Sequence, residues 1–229
     1  MDTFKNWSKS SYWIYFIGAL IISSISLSVN KLTLLNFISL VGALAGFLSV
    51  VLIVNKNRSA GYVGMFSAII YMFISWHLGN YSDTLLNILF IVFLNIPLIR
   101  NKNYNEKSKP NSVKDNPEYE VYLIAIFIGI FIALYSIEVL YFKAPRPFFS
   151  VLAASLGITA SIATSFFVLR ESFVLWSLQN IFQVVLWGIT YYQTNSGIAL
   201  LMLVTYTLYT INASTAFFNG KWFIDKIKD

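Results

Sequence analysis

Trp176, Asn180, Gln183 and Trp187 fall four, three and four residues apart in the stretch "LWSLQNIFQVVLW", so on a helix they form one stripe, with Gln179 beside it. The surrounding residues are apolar enough to lie in lipid, where an unpaired amide is costly, so the stripe must face protein or a water-filled cavity. A lone amide there is explained by a hydrogen bond between helices. Three amides bracketed by two tryptophans make a ligand site the better reading. Two other segments carry matching groups: Thr205, Tyr209 and Asn212 share one helical face, and Gly64, Ser67 and Tyr71 share another. Asn87 adds a further amide. Neutral donors, neutral acceptors and aromatic plates suit a small polar ligand with a flat ring, and Trp and Tyr faces also attract a cationic ring. No fixed charge is on offer from these positions.

The segments that must position these residues are membrane helices. Of the 229 residues, 57% are hydrophobic and only 11% charged, against about 25% charged in soluble chains. Eight apolar runs, at about 12–28, 32–54, 60–78, 83–99, 119–142, 147–168, 173–191 and 195–217, each approach the roughly 20 residues that cross a bilayer as a helix. They are too long and too little alternating for barrel strands, so the fold class is an all-α integral membrane protein. With an even number of spans, all 16 Lys and Arg residues except Lys31, Lys143 and Arg146 fall on the side of the termini. That bias places both termini in the cytoplasm and explains the net charge of +6 without a nucleic-acid partner. Lys5 and Lys9 ahead of the first run resemble the start of a signal peptide, but the run is long for one and no small-x-small cleavage site follows. A retained first span, peripheral to the site, is expected.

The polar stretch "RNKNYNEKSKPNSVKDNPEYE" reads as a solvated linker. It divides the chain into an extra N-terminal helix (1–30), a first three-helix bundle (31–100), the linker with a linking helix (101–145), a second three-helix bundle (146–218) and a cytoplasmic tail (219–229). The bundles look like repeats. Each opens on a helix with small residues four apart, Gly42 and Gly46 in one, Ala153, Gly157 and Ser161 in the other. Each closes on a helix that ends near an asparagine, Asn95 or Asn212. An even number of spans separates equivalent helices, so the repeats run parallel, and transporters commonly bind substrate between such halves.

Charged residues in the spans have plain explanations at this level. Glu138 sits about one turn from a helix end near Lys143 and Arg146, which suggests interfacial pairing. Asp83 is placed to cap a helix, and His77 lies beside Trp76 in an interfacial belt. With no cysteine and one histidine, neither a nucleophile with its base nor a metal cluster is apparent, so no enzyme, cofactor or metal is expected. The expected partners are a small-molecule substrate and the lipid bilayer, with self-association into a homo-oligomer left open.

The pattern "LWSLQNIFQVVLW" followed by a helix ending "YTINAS", together with "GYVGMFSAIIYMFISWHLGNYSDTLLNILF", resembles the PnuC family of bacterial B-vitamin transporters. The resemblance runs from about Leu32 to Ala216 and implies a three-one-three fold like that of the SWEET sugar carriers, in the bacterial cytoplasmic membrane. It also implies facilitated diffusion, with the substrate trapped inside by phosphorylation. Carried over by position, the family's binding tryptophan and asparagine fall at Trp176 and Asn180, its final-helix asparagine at Asn212 and its fourth-span amide at Asn87. By that resemblance, asparagine at both Asn180 and Asn212 favours nicotinamide riboside. Thiamine, riboflavin, a deoxynucleoside or, for a SWEET-like carrier, a sugar are the alternatives. The chain departs from the family's pattern at "LNIPLIRNK", where Pro97 replaces a Gly-Trp signature, and at "NASTAFF", which lacks the usual Gly-then-Trp ending.

Overall fold

The computed structural model describes residues 7–29, 33–101, 104, 109–143, 147–218 and 221–223. Of the lysines and arginines used for orientation, Lys5, Lys31, Lys102, Lys107, Arg146, Lys226 and Lys228 lie outside those residues. Among the described residues, 8 helices are long and apolar enough to cross a membrane. We number them α1 (Lys9–Val29), α2 (Leu34–Val54), α3 (Ser59–His77), α4 (Tyr81–Arg100), α5 (Glu118–Phe142), α6 (Pro147–Ser165), α7 (Ser172–Thr194) and α8 (Gly197–Ala216). The expected spans are all present, with ends shifted by a few residues.

The helices α2, α3 and α4 pack in sequence, as do α6, α7 and α8. The two sets meet where α2 touches α8 and α4 touches α6. These contacts are reciprocal: the first helix of each set packs on the last helix of the other. The turns inside the sets repeat as well. Lys56 between α2 and α3 and Val168 between α6 and α7 both take the left-handed conformation, with φ of 52° and 48°, and each stands two residues before an arginine, Arg58 or Arg170. Val168 is β-branched and disfavoured there. It is held by Asn111, whose backbone N–H donates to Val168 O (3.0 Å) and whose carbonyl accepts from Arg170 N (3.1 Å). Glu171 adds bonds from Ser112 Oγ (2.7 Å) and Val113 N (3.3 Å), and together with Arg170 these hold its carboxyl below the usual carboxylate range. The linker expected to be solvated is thus partly structural, because it supplies partners for a turn that cannot satisfy itself.

α6 is the most enclosed helix. Its alanines, serines and Gly157 let α4, α5 and α7 approach closely. α5 packs on α6 and leaves most of its surface outward, in keeping with a linking role. α1 packs against α2 and α8, where Tyr15 stacks on Phe47 (5.9 Å) and Phe47 stacks on Tyr209 (6.2 Å, 7° between planes). The first helix is therefore not peripheral as expected: it buttresses a tyrosine of the candidate site.

α4 contains a π-helical turn, Ile91–Asn95, immediately before Pro97. Proline has no N–H for the carbonyl four residues earlier, Phe93 O. Ser165 Oγ of α6 donates to that carbonyl instead. The same hydroxyl also reaches Ser161 O (2.8 Å), so its one proton is shared between the two carbonyls, and Ser165→Ala should destabilise the protein by about 1 kcal/mol. The same change in a Pro97→Ala background should cost less, since the backbone can then supply the partner. Thermal unfolding of the four proteins checks the coupling, and additive shifts would contradict it.

Residues 221–223, assigned to the tail, pack back on the bundle. Trp222 is buried and its Nε1 donates to Val54 O (3.1 Å) and Ile53 O (3.3 Å) at the end of α2, where Ile53 O also accepts from Lys56 N (2.9 Å). Its ring meets Phe173 edge-on at 4.9 Å, and Lys56 Nζ stands 4.9 Å above it. Burial, and then the charge of Lys221, hold the Lys56 ammonium down at about 8, against 10.5 when free. Between those values the unfolded chain binds more protons than the folded one, so stability should rise as pH climbs from about 8 to 10.5. Melting curves across that window should show the rise in the parent protein and lose it in Lys56→Met. A parent curve that falls through the window would contradict it.

Candidate functional site

A cavity lies where the two helix sets meet, walled by α2, α3, α4, α7 and α8. The centre of a water molecule can range over ≈ 80 Å³ inside it, several times the roughly 10–15 Å³ that one water needs. Gly46 and Gly64 make this room. A Cβ on Gly46 would collide with the Tyr209 hydroxyl and stand 2.7 Å from Ser67 Oγ, and one on Gly64 would collide with Asn95 Oδ1.

The walls are of two kinds. One side presents Trp176 and Phe90, with ring centroids 5.5 Å apart, and Trp176 is fixed by donating from Nε1 to Thr164 Oγ1 (2.9 Å). The other presents Tyr71, Tyr206 and Tyr209, with the hydroxyls of Tyr71 and Tyr209 3.2 Å apart. Between them stand five amides, those of Asn87, Asn95, Gln179, Asn180 and Asn212. Among the described residues, neither Lys, Arg, Asp nor Glu is on the wall.

The amides are poorly served by the protein itself. Asn95 Oδ1, Gln179 Nε2 and Asn212 Oδ1 are buried without a hydrogen-bond partner among the described residues. A buried orphan of this kind costs about 1–3 kcal/mol. Interhelical glue would show the opposite pattern, amides paired with one another. Unpaired amides around an aromatic cavity are what a polar ligand would complete.

Of the residues expected from sequence, Trp176, Asn180, Asn212, Asn87, Tyr71 and Tyr209 come together on this wall. Gln183 and Trp187 do not. They lie one and two turns further along α7, where Gln183 Nε2 donates to Asp83 Oδ1 (2.5 Å) and Trp187 is buried among apolar neighbours. Gln179 and Asn95 are on the wall though neither was singled out as binding. Asn95 owes its place to the π turn. On a regular helix it would point about 80° away from Asn87, eight residues earlier. The π turn absorbs one residue, so the two behave as if seven apart, about 20° off one face.

Two acidic residues also depart from expectation. Glu138 is fully buried and accepts from Ser82 N (2.6 Å) at the start of α4 and from Ser150 Oγ (2.9 Å) of α6, while Arg146, one of its expected partners, lies outside the described residues. It opens a second π turn, Glu138–Phe142, which turns it inward. Asp83 is buried too and does not cap its own helix. Its carboxylate accepts from Ser75 Oγ of α3 and Gln183 Nε2 of α7, one turn beyond the cavity. The cavity is thus bracketed. The Ser75–Asp83–Gln183 contacts tie three helices at one end, and Trp222, seated under the wall residues Ile53 and Phe173, closes the other.

An aromatic and amide cavity thus lies between two packed triplets of helices long and apolar enough to cross a membrane, the architecture of a multi-pass membrane protein. Residues 36–223 match the family described as Nicotinamide mononucleotide transporter, and the chain belongs to that family. Its fold is similar to that in the structure titled "Crystal structure of the Vitamin B3 transporter PnuC", with a TM-score of 0.76 and 17% sequence identity over 96% of this chain and 92% of that one. No curated protein matches the chain.

Proposed function

We propose that this protein carries nicotinamide riboside into the cell by facilitated diffusion, down a gradient maintained by intracellular phosphorylation. The observation that carries the reading is the set of unpaired amides between Trp176 and the tyrosines. The nicotinamide ring lies against Trp176 and Phe90, and the ribose hydroxyls and carboxamide pair with Asn180, Asn212, Asn87, Gln179 and Asn95. The riboside is preferred to the mononucleotide because a phosphate calls for arginine or lysine, and neither is on the wall. Both termini are cytoplasmic, so Trp222 closes the inner end and the Asp83 contacts the outer one. The two helix sets rock about the cavity as SWEET-like halves.

The test is uptake of labelled nicotinamide riboside into proteoliposomes that contain no kinase. Accumulation should stop at equilibrium, persist with an uncoupler, and be competed by unlabelled riboside rather than by thiamine, riboflavin, a deoxynucleoside or glucose. Uphill accumulation driven by a proton or sodium gradient would contradict facilitated diffusion, and competition by glucose alone would indicate a sugar carrier.

A further inference from the structure

α1 contributes no residue to the cavity wall and precedes the residues 36–223 that match the family, yet it is seated in one register. Ser11, Tyr15, Gly18, Ile22 and Ser26 fall four, three, four and four residues apart, so they share one helical face. Ser11, Gly18, Ile22 and Ser26 are buried and Tyr15 is half-buried, whereas Phe16, Ile17 and Leu20 between them are exposed. Apolar contact alone cannot choose such a register, because lipid tails are as apolar as a neighbouring helix. Polar contacts set it. Asn55, just past the end of α2, donates from Nδ2 to Ser11 Oγ (2.8 Å), and its Oδ1 accepts from Ser8 N (3.2 Å).

One and two turns past that tie, the same face of α1 receives Phe47 of α2. Tyr15 stacks on the Phe47 ring at 5.9 Å, with 26° between planes. Gly18 leaves the room for it: a Cβ there would collide with Phe47 Cε1 and Cζ. Phe47 is fully buried and stacks also on Tyr209, nearly parallel at 6.2 Å. Tyr206 meets the Tyr209 ring edge-on at 5.2 Å. The Tyr209 hydroxyl ends on the cavity wall beside Gly46, 3.2 Å from the hydroxyl of Tyr71. In so closely packed a chain of rings, a shift of Phe47 is passed on to Tyr209.

We propose that Tyr15 and Gly18 are positioning residues of the ligand site: through Phe47 they fix the Tyr209 hydroxyl where a ligand meets it. This rests on the transport reading above and adds to it that the affinity of the site is set in part by a helix that touches no ligand. The physical reason is preorganisation. A hydrogen bond tolerates only a few tenths of an ångström, and a tyrosine left to wander must be ordered at the expense of binding. Tyr15 acts by its ring, and Gly18 by having none.

The experiment is calorimetric titration of the purified protein with nicotinamide riboside, thiamine and a deoxynucleoside. Tyr15→Ala should weaken riboside binding by about tenfold, and Gly18→Ala, whose methyl group displaces Phe47, by a similar factor. Tyr15→Phe keeps the stack and should match the parent within about twofold, as should Phe16→Ala, which removes an exposed ring from the same turn of α1. Tyr209→Phe removes the positioned hydroxyl, so adding Tyr15→Ala to it should cost less than about twofold more. A merely structural role for α1 would not produce that coupling. Losses that multiply in the double variant overturn the proposal, as does parent-like affinity in Tyr15→Ala or an equal loss in Phe16→Ala. Where an alanine variant does not elute as a single species, Tyr15→Leu, which fills the space without the stack, takes its place and is read in the same way. Binding of thiamine or the deoxynucleoside in place of the riboside overturns the substrate reading, and the same ratios for that ligand then decide the role of Tyr15. Binding of none of the three counts against both.

Discussion

Valine in place of Gly46 should abolish transport, leaving uptake below about 1% of the parent, because the side chain overpacks the cavity wall. The added Cβ collides with the Tyr209 hydroxyl and stands 2.7 Å from Ser67 Oγ and 3.2 Å from the Tyr71 hydroxyl, so three wall groups must move at once. Those groups are not free to do so. Tyr209 is stacked on Phe47, which is stacked on Tyr15 of α1, and Ser67 donates to Gly42 O (2.9 Å). The extra methyl groups also enter the space a ligand needs. Overpacking of this kind costs about 1–3 kcal/mol in stability, which a membrane protein of this size should survive. The check is uptake by variant protein that still elutes as a single species: normal uptake would mean that the cavity beside Gly46 is not on the substrate path.

Asn212→Ala and Asn180→Ala should each weaken ligand binding by roughly 10- to 100-fold, the effect of losing hydrogen bonds worth about 1–3 kcal/mol. The sign of the stability change makes the experiment decisive. Asn212 Oδ1 is an orphan in the empty protein. Removing it relieves a desolvation penalty, so empty Asn212→Ala should melt at the same temperature as the parent or slightly above. A ligand that stabilises the parent by mass action should stabilise the variants far less. Were the asparagines structural links between helices, the variants would melt lower and bind as before.

The eight helices were legible because a bilayer leaves the backbone no alternative and hydropathy reports it directly. The stripe on α7 was legible as a stripe, but not its depth. From Trp176 to Trp187 it runs about 16 Å along the axis, longer than the part of α7 that meets the cavity. Spacing cannot say where along a helix the neighbouring helices part, so Gln183 and Trp187 were grouped with residues they do not join. Asn95 was hidden for another reason. Pro97 was visible as an oddity, yet the π turn it accompanies changes the helical phase, and periodicity assumes the phase is constant. Asp83 and Glu138 were placed near the surface by their distance from helix ends. Distance along the chain does not reveal that Ser75 of α3 and Gln183 of α7 hold the Asp83 carboxyl, or that Ser82 N of α4 and Ser150 of α6 hold that of Glu138. The role of α1 was equally out of reach, since Tyr15 acts on Tyr209 only through Phe47, a residue from a third helix.

The reading stands or falls on whether the unpaired amides are a ligand site, and direct binding tests that most simply. Tryptophan fluorescence of the purified protein should be titrated with nicotinamide riboside, because Trp176 forms part of the wall. Saturable quenching in the parent, absent at the same concentrations in Asn180→Ala, is what the cavity predicts. Quenching of equal amplitude and midpoint in both proteins, or none in either, would contradict it and return the amides to the packing of the helices.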